Sequence, residues 1–514
     1  MVVRSPLSDI EIPDEPLPAF VLVDAPARAD KPALIDGPSG RTITYGELAQ
    51  GVRALAAGLA ARGLRPGDVM GIFSPNLPEY ALAFHGIAAA GAAVTTVNPL
   101  STPDELGRQL SAARARFLLT VPPFAETATK AAQQAGVEEV FVVGEAEGLT
   151  PLHALLANPD DAPDLRIDTA EHLVALPYSS GTTGLPKGVM LTHRNLVANV
   201  LQSNALLDSS ERDVVIGVLP FFHIYGMTVI MNMALRYGAT IVTMPRFDLE
   251  QFLRLQQEHR ATRSYVVPPI ALALAKHPLV DQFDLSSLDI VMSGAAPLSA
   301  ELSEAAASRL GCTVLQGYGL TETSPVTHVS PHERNKPGMV GVLTPNTEAR
   351  IVDLDSGEEV PTGERGELCI RGPQNMKGYL DDPEATAAMI DPDGWLHTGD
   401  IAVVDHEGYF AIVDRVKELI KYKGFQVAPA ELEALLLEHP QITDAAVIGR
   451  PDEEAGEIPV AYVVCEGLEV DHVMQFVAER VAPHKRVRAV CFVEQIPKSA
   501  SGKILRRELV DADR

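Results

Sequence analysis

The stretch Ser179-Ser-Gly-Thr-Thr-Gly-Leu-Pro-Lys-Gly188 combines hydroxyl side chains, glycines and one lysine. Such a segment packs poorly in a core, but its hydroxyls, backbone N–H groups and cation suit a polyphosphate. A short buried strand is predicted before it, over 173–177, and a helix after it, with Thr192 as N-cap. The spacing differs from a Walker P-loop, in which Gly-Lys-Ser/Thr follows a four-residue spacer. A Gly/Ser-rich surface turn is the alternative for this segment taken alone.

Length and charge narrow the functional classes. The chain has 514 residues, enough for two or more domains, and 46% of them are hydrophobic, as in ordinary globular proteins. A formal net charge of −26 predicts an acidic surface and argues against nonspecific nucleic-acid binding. Any anionic ligand must therefore be held by a local positive site.

Cysteine usage and the apolar segments indicate a compartment. The chain contains four widely separated cysteines, Cys312, Cys369, Cys465 and Cys491. Their spacing predicts neither a disulfide framework nor a zinc site, and it suits a reducing environment. Residues 1–18 lack an apolar signal core, and 81–97 is typical of a buried helix and strand rather than a membrane span. We therefore expect a cytoplasmic protein that does not contact membranes.

The order of local patterns predicts the architecture. From about 42 onwards, helical patterns alternate with short β-branched runs, at 69–73, 117–121, 214–219, 240–244, 264–267 and 288–292. This alternation predicts α/β layering with largely parallel sheets. Short strands and turns over about 340–413 predict a β-rich subdomain. A boundary is predicted near Asp414, between a large N-terminal domain over 1–414 and a small mobile α/β domain over 415–514.

Three further segments carry side chains suited to a nucleotide. His223 lies between aromatics in 220–226, where a lone histidine is more often a packed loop residue. Gln316-Gly-Tyr-Gly-Leu-Thr-Glu322 places an aromatic that can stack on a base beside a carboxylate that can hold Mg²⁺. Trp395-Leu-His-Thr-Gly-Asp400 ends in an acid suited to ribose hydroxyls, although the run could be only a β-turn.

These segments occur in one order with Asp414-Arg-Val-Lys-Glu-Leu-Ile-Lys-Tyr-Lys-Gly-Phe-Gln426 and Pro497-Lys-Ser-Ala-Ser-Gly-Lys503. In this set the chain resembles the adenylate-forming superfamily of acyl-CoA ligases, firefly luciferases and peptide-synthetase adenylation domains. The resemblance covers essentially the whole chain, from 44–48 to Lys503. Within the superfamily the chain is most similar to 4-coumarate:CoA ligases, through 266–270, 293–298 and 421–431.

The resemblance implies a two-step reaction. ATP first adenylates a carboxylic acid with release of pyrophosphate, and the acyl group then passes to the thiol of CoA, with Mg²⁺ as cofactor. The resemblance assigns Mg²⁺ to Glu322. It assigns ATP and AMP to Ser179, Ser180, Gly181, Thr182, Thr183, Gly184, Lys187, Ala295, Gln316, Gly317, Tyr318, Thr321, Asp400 and Arg415.

Two lysines receive catalytic roles from the resemblance. Lys503 is the implied adenylation catalyst, because an ammonium on a flexible stem can bridge carboxylate and phosphate oxygens. Lys417 is the implied hinge about which the C-terminal domain rotates between the half-reactions. His223 is expected to act as a gate or as a neighbour of the substrate carboxylate rather than as a general base.

Rotation is expected to withdraw Lys503 and to present the loop 421–426. Lys421 and Gln426 resemble residues that contact the adenylate, and Lys423 and Gly424 resemble residues that line the pantetheine tunnel. Arg246 is a weaker candidate for a CoA phosphate. The alternative for Gln426 and Arg246 is that both are ordinary surface residues.

The implied acid pocket consists of Ile224, Tyr225, Thr228, Tyr265, Met292, Gly294, Ala295, Gly317, Gly319, Pro325, Val326 and Thr327. Its small residues predict a flat slot in which the two tyrosines pack on an aromatic ring. Plant coumarate ligases commonly carry Asn where Thr228 stands and Lys where Met292 stands. We therefore expect weaker recognition of ring hydroxyls, so that cinnamate is accepted along with 4-coumarate.

Other functions fit the same fold. A medium- or long-chain fatty acyl-CoA ligase is the main alternative to an arylpropenoate ligase. Nothing in the sequence specifies a luciferin pocket, and no carrier domain follows Lys503 before the chain ends at Arg514. A catalytically inactive homologue is disfavoured because Lys503, Glu322, Asp400 and Arg415 are all present. A monomer or weak homodimer is expected.

Overall fold

The computed structural model describes residues 2–179, 186–423, 425–452, 454–499 and 502–513. Within these ranges the strands are β1 Val3–Arg4, β2 Pro32–Asp36, β3 Thr42–Thr44, β4 Val69–Phe73, β5 Ala93–Thr96, β6 Ala115–Thr120, β7 Glu139–Val142, β8 Thr150–Pro151, β9 Leu173–Ala175, β10 Tyr178–Ser179, β11 Lys187–Thr192, β12 Val214–Gly217, β13 Thr240–Thr243, β14 Arg263–Val266, β15 Ile290–Ser293, β16 Thr313–Gly319, β17 Val326–Val329, β18 Val342–Leu343, β19 Glu348–Val352, β20 Gly366–Arg371, β21 Gly378–Tyr379, β22 Leu396–Val404, β23 Phe410–Arg415, β24 Ile420–Tyr422, β25 Phe425–Val427, β26 Ile442–Asp452, β27 Gly456–Cys465 and β28 Ala489–Phe492.

The α-helices of the same ranges are α1 Leu17–Leu22, α2 Tyr45–Ala61, α3 Pro78–Ala89, α4 Pro103–Ala112, α5 Ala125–Ala135, α6 His193–Leu207, α7 Ala234–Arg236, α8 Leu249–Glu258, α9 Pro268–Lys276, α10 Ala300–Leu310, α11 Pro383–Met389, α12 Pro429–Glu438, α13 Val470–Ala478 and α14 Arg506–Ala512. A π-helix, Gly226–Met233, precedes α7. Threonine side chains accept from the third residue of α2, α4 and α6, and the predicted N-cap Thr192 is one of them. None of the helices in the described ranges is both long and apolar enough to span a bilayer.

Two nine-stranded sheets form the larger part of the fold. The first has the order β10-β11-β9-β5-β4-β6-β7-β8, with β21 added to β11, and the second has the order β18-β17-β16-β15-β14-β12-β13-β2-β3. Their central neighbours run parallel, for example β4 with β5 and β6, and β14 with β15. Every residue of β5, β13, β14 and β15 is buried, as expected for parallel strands covered on both faces. The predicted layered α/β fold is confirmed.

A third sheet, β1-β19-β20-β22-β23, is antiparallel and matches most of the predicted β-rich subdomain. Two details differ from the prediction over 340–413. β1, from the N-terminal end of the chain, pairs with β19, and β18 joins the second sheet through β17. Both are long-range pairings, which local sequence patterns do not encode.

A fourth sheet, β25-β24-β27-β26 with β28 on β27, packs against α12 and α13 over its own apolar core. Leu432 and Leu436 of α12 contribute to this core, as do Val447 and Val463 of the two long strands. β23 of the third sheet ends at Arg415, one residue beyond the predicted boundary at 414/415. That boundary and the mobility of the C-terminal part stay predictions.

Candidate active site

A cavity of about 1130 Å³ lies between the second sheet, the third sheet and the C-terminal segment that contains Lys503. The predicted site residues that line it are Ser179, His223, Ile224, Tyr225, Met292, Gly294, Ala295, Gly317, Tyr318, Gly319, Thr321, Glu322, Pro325, Val326, Arg415, Lys417 and Lys503. Residues predicted for ATP, for the acid and for catalysis therefore meet in one space, although they come from segments more than 300 positions apart.

The remaining predicted residues fall into two groups. Outside the described residues lie Ser180, Gly181, Thr182, Thr183, Gly184 and Gly424. Described residues that do not line this cavity are Lys187, Gln316, Asp400, Thr228, Tyr265, Thr327, Lys421, Lys423, Gln426 and Arg246. These residues lie outside the cavity for different structural reasons.

At one end of the cavity two hydroxyls converge on a buried carboxylate. The hydroxyls of Ser179 and Tyr379 each donate to Oε1 of Glu322 at 2.8 Å. Lys187 lies behind them, with its ammonium 3.3 Å from Asp382 and 5.2 Å from the ring centroid of Tyr379. This end offers hydroxyls, a carboxylate and a nearby cation, which together suit a magnesium-bound polyphosphate.

A second hydrogen-bonded group joins β16 to β22 and β23. The Tyr318 hydroxyl donates to Asp400 at 2.6 Å, and Nε of Arg415 lies 3.3 Å from the other oxygen of the same carboxylate. Burial raises the pKa of Asp400, and the Arg415 cation opposes that rise. Asp400 is only 4% exposed and sits behind Tyr318 and Arg415, which explains why it does not line the cavity itself.

The apolar end of the cavity is shaped by close contacts around Tyr225. Its hydroxyl donates to the Met292 carbonyl at 3.1 Å, and a Cβ on Gly294 would lie 3.0 Å from its ring. A Cβ on Gly317 would meet Cε of Met292 at 2.3 Å. The predicted small residues therefore do not all leave open space, because the Met292 side chain occupies the room beside Gly317.

Three residues predicted for the acid pocket lie behind its wall. The hydroxyl of Thr228, which is fully buried, donates to the Ser324 carbonyl at 2.7 Å. Thr327 is also fully buried, and its hydroxyl lies 2.9 Å from Nδ1 of His328. Tyr265 is 1% exposed, and it is Tyr225 rather than Tyr265 that faces the cavity. Gln316 is likewise buried, where its side-chain oxygen accepts from the backbone N–H of Leu298.

Lys503 enters the cavity on a tight turn. Gly502, with a φ of +78°, allows this turn to approach Val267, whose Cγ2 would lie 2.9 Å from a Cβ at that position. Burial lowers the pKa of the Lys503 ammonium to about 8, and the Arg415 cation adds to the shift, whereas Glu418 and Asp400 oppose it. Burial and then the nearby Lys503 cation lower the pKa of His223 to about 4, so this imidazole is neutral at pH 7.

Arg506 connects the Lys503 turn to the segment after the predicted hinge. Its guanidinium lies 2.7 Å from Glu418 and donates to both oxygens of the buried Glu433 carboxylate at 2.7 Å. Asp414, three residues before Lys417, accepts from the backbone N–H of Ala430 in the first turn of α12 at 3.0 Å. Burial raises the pKa of Asp414 to about 6.

The hairpin formed by β24 and β25 lies away from the cavity. Lys421, Lys423 and Gln426 are exposed on it, and Gln426 instead lines a small groove with Arg365. In the present arrangement the Lys503 turn lines the cavity and the described residues of this hairpin do not. Arg246 is exposed on the loop after β13, also outside the cavity.

The sequence interpretation missed several cavity residues. Tyr379, Glu418 and Arg506 line the cavity, but none was predicted. Tyr379 reaches Glu322 because β21 pairs with β11, and this pairing gives no local sequence signal. Glu418 and Arg506 each lie within four residues of a predicted catalytic lysine, which is the signal that could have indicated them.

Residues 23–380 match the family described as AMP-binding enzyme. Residues 431–503 match the family described as AMP-binding enzyme C-terminal domain. 4-Coumarate–CoA ligase 1 of Solanum tuberosum is 46% identical over 524 residues, which cover 99% of this chain and 96% of that relative. The anthranilate CoA ligase AuaEII in complex with anthranoyl-AMP superposes with a TM-score of 0.89 at 26% identity, covering 98% of each chain.

A further solved structure is informative about the arrangement of the parts. ATP-bound MatB of Rhodopseudomonas palustris superposes with a TM-score of 0.86 and apo MatB with 0.77, both at 29% identity and over 96% of this chain and 98% of MatB. Identity and coverage are the same in the two comparisons, so the TM-scores can be compared directly. The present arrangement is therefore closer to the ATP-bound one.

Proposed function

The chain belongs to the AMP-binding enzymes, and on that premise we propose that it is an ATP-dependent acid–CoA ligase acting on arylpropenoic acids, 4-coumarate and cinnamate. The observation that carries the proposal is the 46% identity to a 4-coumarate–CoA ligase over 99% of this chain. The cavity supports it, because it gathers an apolar end, a hydroxyl-lined carboxylate and an inserted lysine.

In the first half-reaction a carboxylate oxygen of the acid attacks the α-phosphorus of ATP. A P–O bond forms to the acid, the bond to the β-phosphate oxygen breaks, and pyrophosphate leaves with that electron pair. The reaction needs alignment of two anions and cations near the accumulating charge. We assign the cationic role to Lys503 and the α-phosphate contact to Thr321, both of which line the cavity.

The polyphosphate is assigned to the 179–188 segment with Lys187, and Mg²⁺ to Glu322. Glu322 suits this ion because Mg²⁺ is usually held by one or two carboxylates together with substrate phosphates. When bound, the ion neutralises charge on the phosphates. Ser179 and Tyr379 orient the Glu322 carboxylate through their hydrogen bonds to Oε1. Tyr318 is assigned to the adenine and Asp400 with Arg415 to the ribose.

In the second half-reaction the thiol of CoA releases its proton to solvent and attacks the acyl carbon, a C–S bond forms, and AMP leaves with the electron pair of the broken C–O bond. We propose that rotation about Lys417 withdraws Lys503 and presents Lys421, Lys423, Gly424 and Gln426. The exposed hairpin and the closer match to ATP-bound MatB support the view that the present arrangement precedes this rotation. Arg246 stays a candidate for a CoA phosphate.

The acid is assigned to the apolar end around Tyr225, Met292 and the glycines 294, 317 and 319. Tyr225 is held by its bond to the Met292 carbonyl, so its ring is a fixed wall for a planar substrate. Met292 replaces a polar group at the position where plant ligases commonly carry Lys. This supports acceptance of cinnamate, which lacks the ring hydroxyl.

The test is a panel of cinnamic, 4-coumaric, benzoic and C6 to C16 fatty acids, scored for pyrophosphate release and for CoA thioester. We expect the two arylpropenoates to give the highest kcat/KM. Lys503→Ala should abolish acyl-AMP formation yet convert preformed acyl-AMP to thioester. Lys498→Ala, in the same segment but paired with Asp444, is the matched control. Faster turnover of fatty acids would favour the fatty acyl-CoA ligase instead.

The remaining properties are proposals of the same kind. We propose a cytoplasmic enzyme, monomeric or weakly dimeric, whose partners are the small-molecule acid, ATP and CoA. Light scattering coupled to size exclusion, over a range of protein concentrations, measures the oligomeric state. A stable higher oligomer at micromolar concentration would contradict that part of the proposal.

A further inference from the structure

A wide irregularity interrupts the pairing of β20 with β22, next to the cavity. Cys369 pairs with His397 and Glu367 pairs with Ile401, so the segment 398–400 of β22 faces a single residue of β20. Thr398 and Gly399 of this segment line the cavity. Such bulges bend a strand and redirect its side chains, and they are frequent beside active sites. We call the segment 398–400 the bulge.

One carboxylate holds the bulge against β20. Oε1 of Glu367 accepts from the backbone N–H of Gly399 at 3.0 Å, and Oε2 lies 3.0 Å from Nδ1 of His397. The φ of Gly399 is +69°, in the left-handed region. Glu367 therefore binds the strand before the bulge and the backbone at its middle.

Thr398 and Asp400 complete the bulge. The Thr398 hydroxyl donates to the Leu368 carbonyl at 2.7 Å and accepts from the backbone N–H of Asp400 at 3.1 Å. The Asp400 carboxylate emerges from this turn to meet Tyr318 and Arg415. Its direction thus depends on a backbone segment that Glu367 holds.

His397 is held in turn by three neighbours. Sγ of Cys369 lies 3.5 Å from its Nδ1, and a carboxylate oxygen of Asp391 lies 3.8 Å from its Nε2. Interactions with Cys369 and then Glu367 raise the pKa of His397 to about 10, so that the imidazolium faces the Glu367 carboxylate as an ion pair at neutral pH. A charged partner strengthens the hold on Glu367.

We propose that Glu367, supported by His397, is a positioning residue for the nucleotide: it holds the bulge in the shape that directs Asp400 to the ribose. This rests on the proposed function, in which Asp400 and Arg415 bind the ribose. Glu367 touches no substrate and acts through Gly399 and Asp400. The same group of Glu367, Cys369 and His397 offers three ligand atoms within 4.8 Å of one another. Hydrogen bonds account for this cluster without an ion.

The test measures pyrophosphate release without CoA, using ATP, 2′-deoxy-ATP and 3′-deoxy-ATP. For Glu367→Ala we expect the KM for ATP to rise about tenfold, the loss typical of one hydrogen bond to a charged group, with the KM for the acid unchanged. Discrimination against the deoxynucleotides should shrink, because the misdirected Asp400 no longer reads the hydroxyls. Glu367→Gln retains an acceptor for Gly399 and should recover most of the ATP affinity.

Glu348→Gln is the matched control, since Glu348 lies on the adjacent β19 and pairs with Arg371 outside the bulge. Equal losses in Glu367→Ala and Glu348→Gln, or a Glu367→Ala enzyme with unchanged discrimination, would overturn the proposal. Loss of wild-type activity on adding phenanthroline with excess Mg²⁺ would do so too, by identifying a transition-metal site. A wild-type enzyme that releases no pyrophosphate with any acid would instead refute the proposed function.

Discussion

Lys503 predicts an alkaline limit to adenylation. Its ammonium has a pKa of about 8 because it is buried beside Arg415. About 90% of the lysine is protonated at pH 7 and about 10% at pH 9, from the Henderson–Hasselbalch relation at that pKa. If only the ammonium assists attack on the α-phosphorus, kcat/KM for adenylation should fall about tenfold between these two pH values. The rate falls rather than rises with pH, because loss of the proton removes the positive charge of Lys503.

Pyrophosphate release without CoA is the right assay, because the CoA thiol titrates in the same range and would obscure the limb. The pH dependence of kcat/KM reports groups of the free enzyme, whose pKa the structure describes. Lys503→Arg, which stays charged throughout, should be slower but flat from pH 7 to 9. An alkaline limb with the same midpoint in Lys503→Arg would refute the reasoning, as would a wild-type limb above pH 10.

Three further predictions follow from buried contacts. Thr228→Val removes the hydroxyl that donates to the Ser324 carbonyl. The free energy of unfolding in urea should therefore fall by about 1–3 kcal/mol, while the KM for 4-coumarate should change less than about twofold. A large change in KM with unchanged stability would mean that Thr228 contacts the acid. Gly319→Ala would place a Cβ 1.9 Å from the Pro325 carbonyl oxygen. The free energy of unfolding should therefore fall by about 1–3 kcal/mol. Unchanged stability would show that the backbone of 318–325 can move to relieve this contact. Asp414, with a pKa raised to about 6 by burial, binds its proton more tightly in the folded state, so its contribution to stability is present at low pH and is lost as pH rises through 6. Because the unfolded carboxyl is already about half ionised at pH 4, Asp414→Asn should remove about 2 kcal/mol of this dependence between pH 4 and 8. Parallel stability curves for the variant and the wild type would contradict the assignment.

Local features of the fold were predictable from the sequence. The N-cap at Thr192 and the strand Val69–Phe73 depend on neighbouring residues, and both occur as predicted. The 316–322 segment was also interpretable, because its aromatic, hydroxyl and carboxylate lie on one contiguous stretch. Residues that are adjacent in sequence are also close in space, so a contiguous motif can be interpreted without knowledge of the fold.

Features set by distant pairings were not predictable. Tyr379 meets Glu322 only through the β21–β11 pairing, and Glu367 reaches Gly399 only across an irregular strand pair. A residue pattern also does not tell whether a side chain points into the cavity or away from it. Thr228 was predicted for the acid pocket, but its hydroxyl donates to the Ser324 carbonyl outside the cavity. Lys421 and Gln426 lie outside the cavity in the present arrangement, and their predicted contact with the adenylate requires the proposed rotation.

The turn at Gly502 has a kinetic consequence. Gly502 lies close to Val267 and Lys503 lines the cavity, so under the proposed function the turn that delivers the ammonium also occupies space beside the activated acyl carbon. We expect the turn in this position to limit the access of water to the mixed anhydride. If the proposed rotation withdraws the turn, the order of substrates would follow from steric occupancy rather than from relative affinity, because CoA would reach the acyl carbon only after the turn has left. A withdrawal without bound CoA would then expose the acyl-AMP to hydrolysis and consume ATP without product.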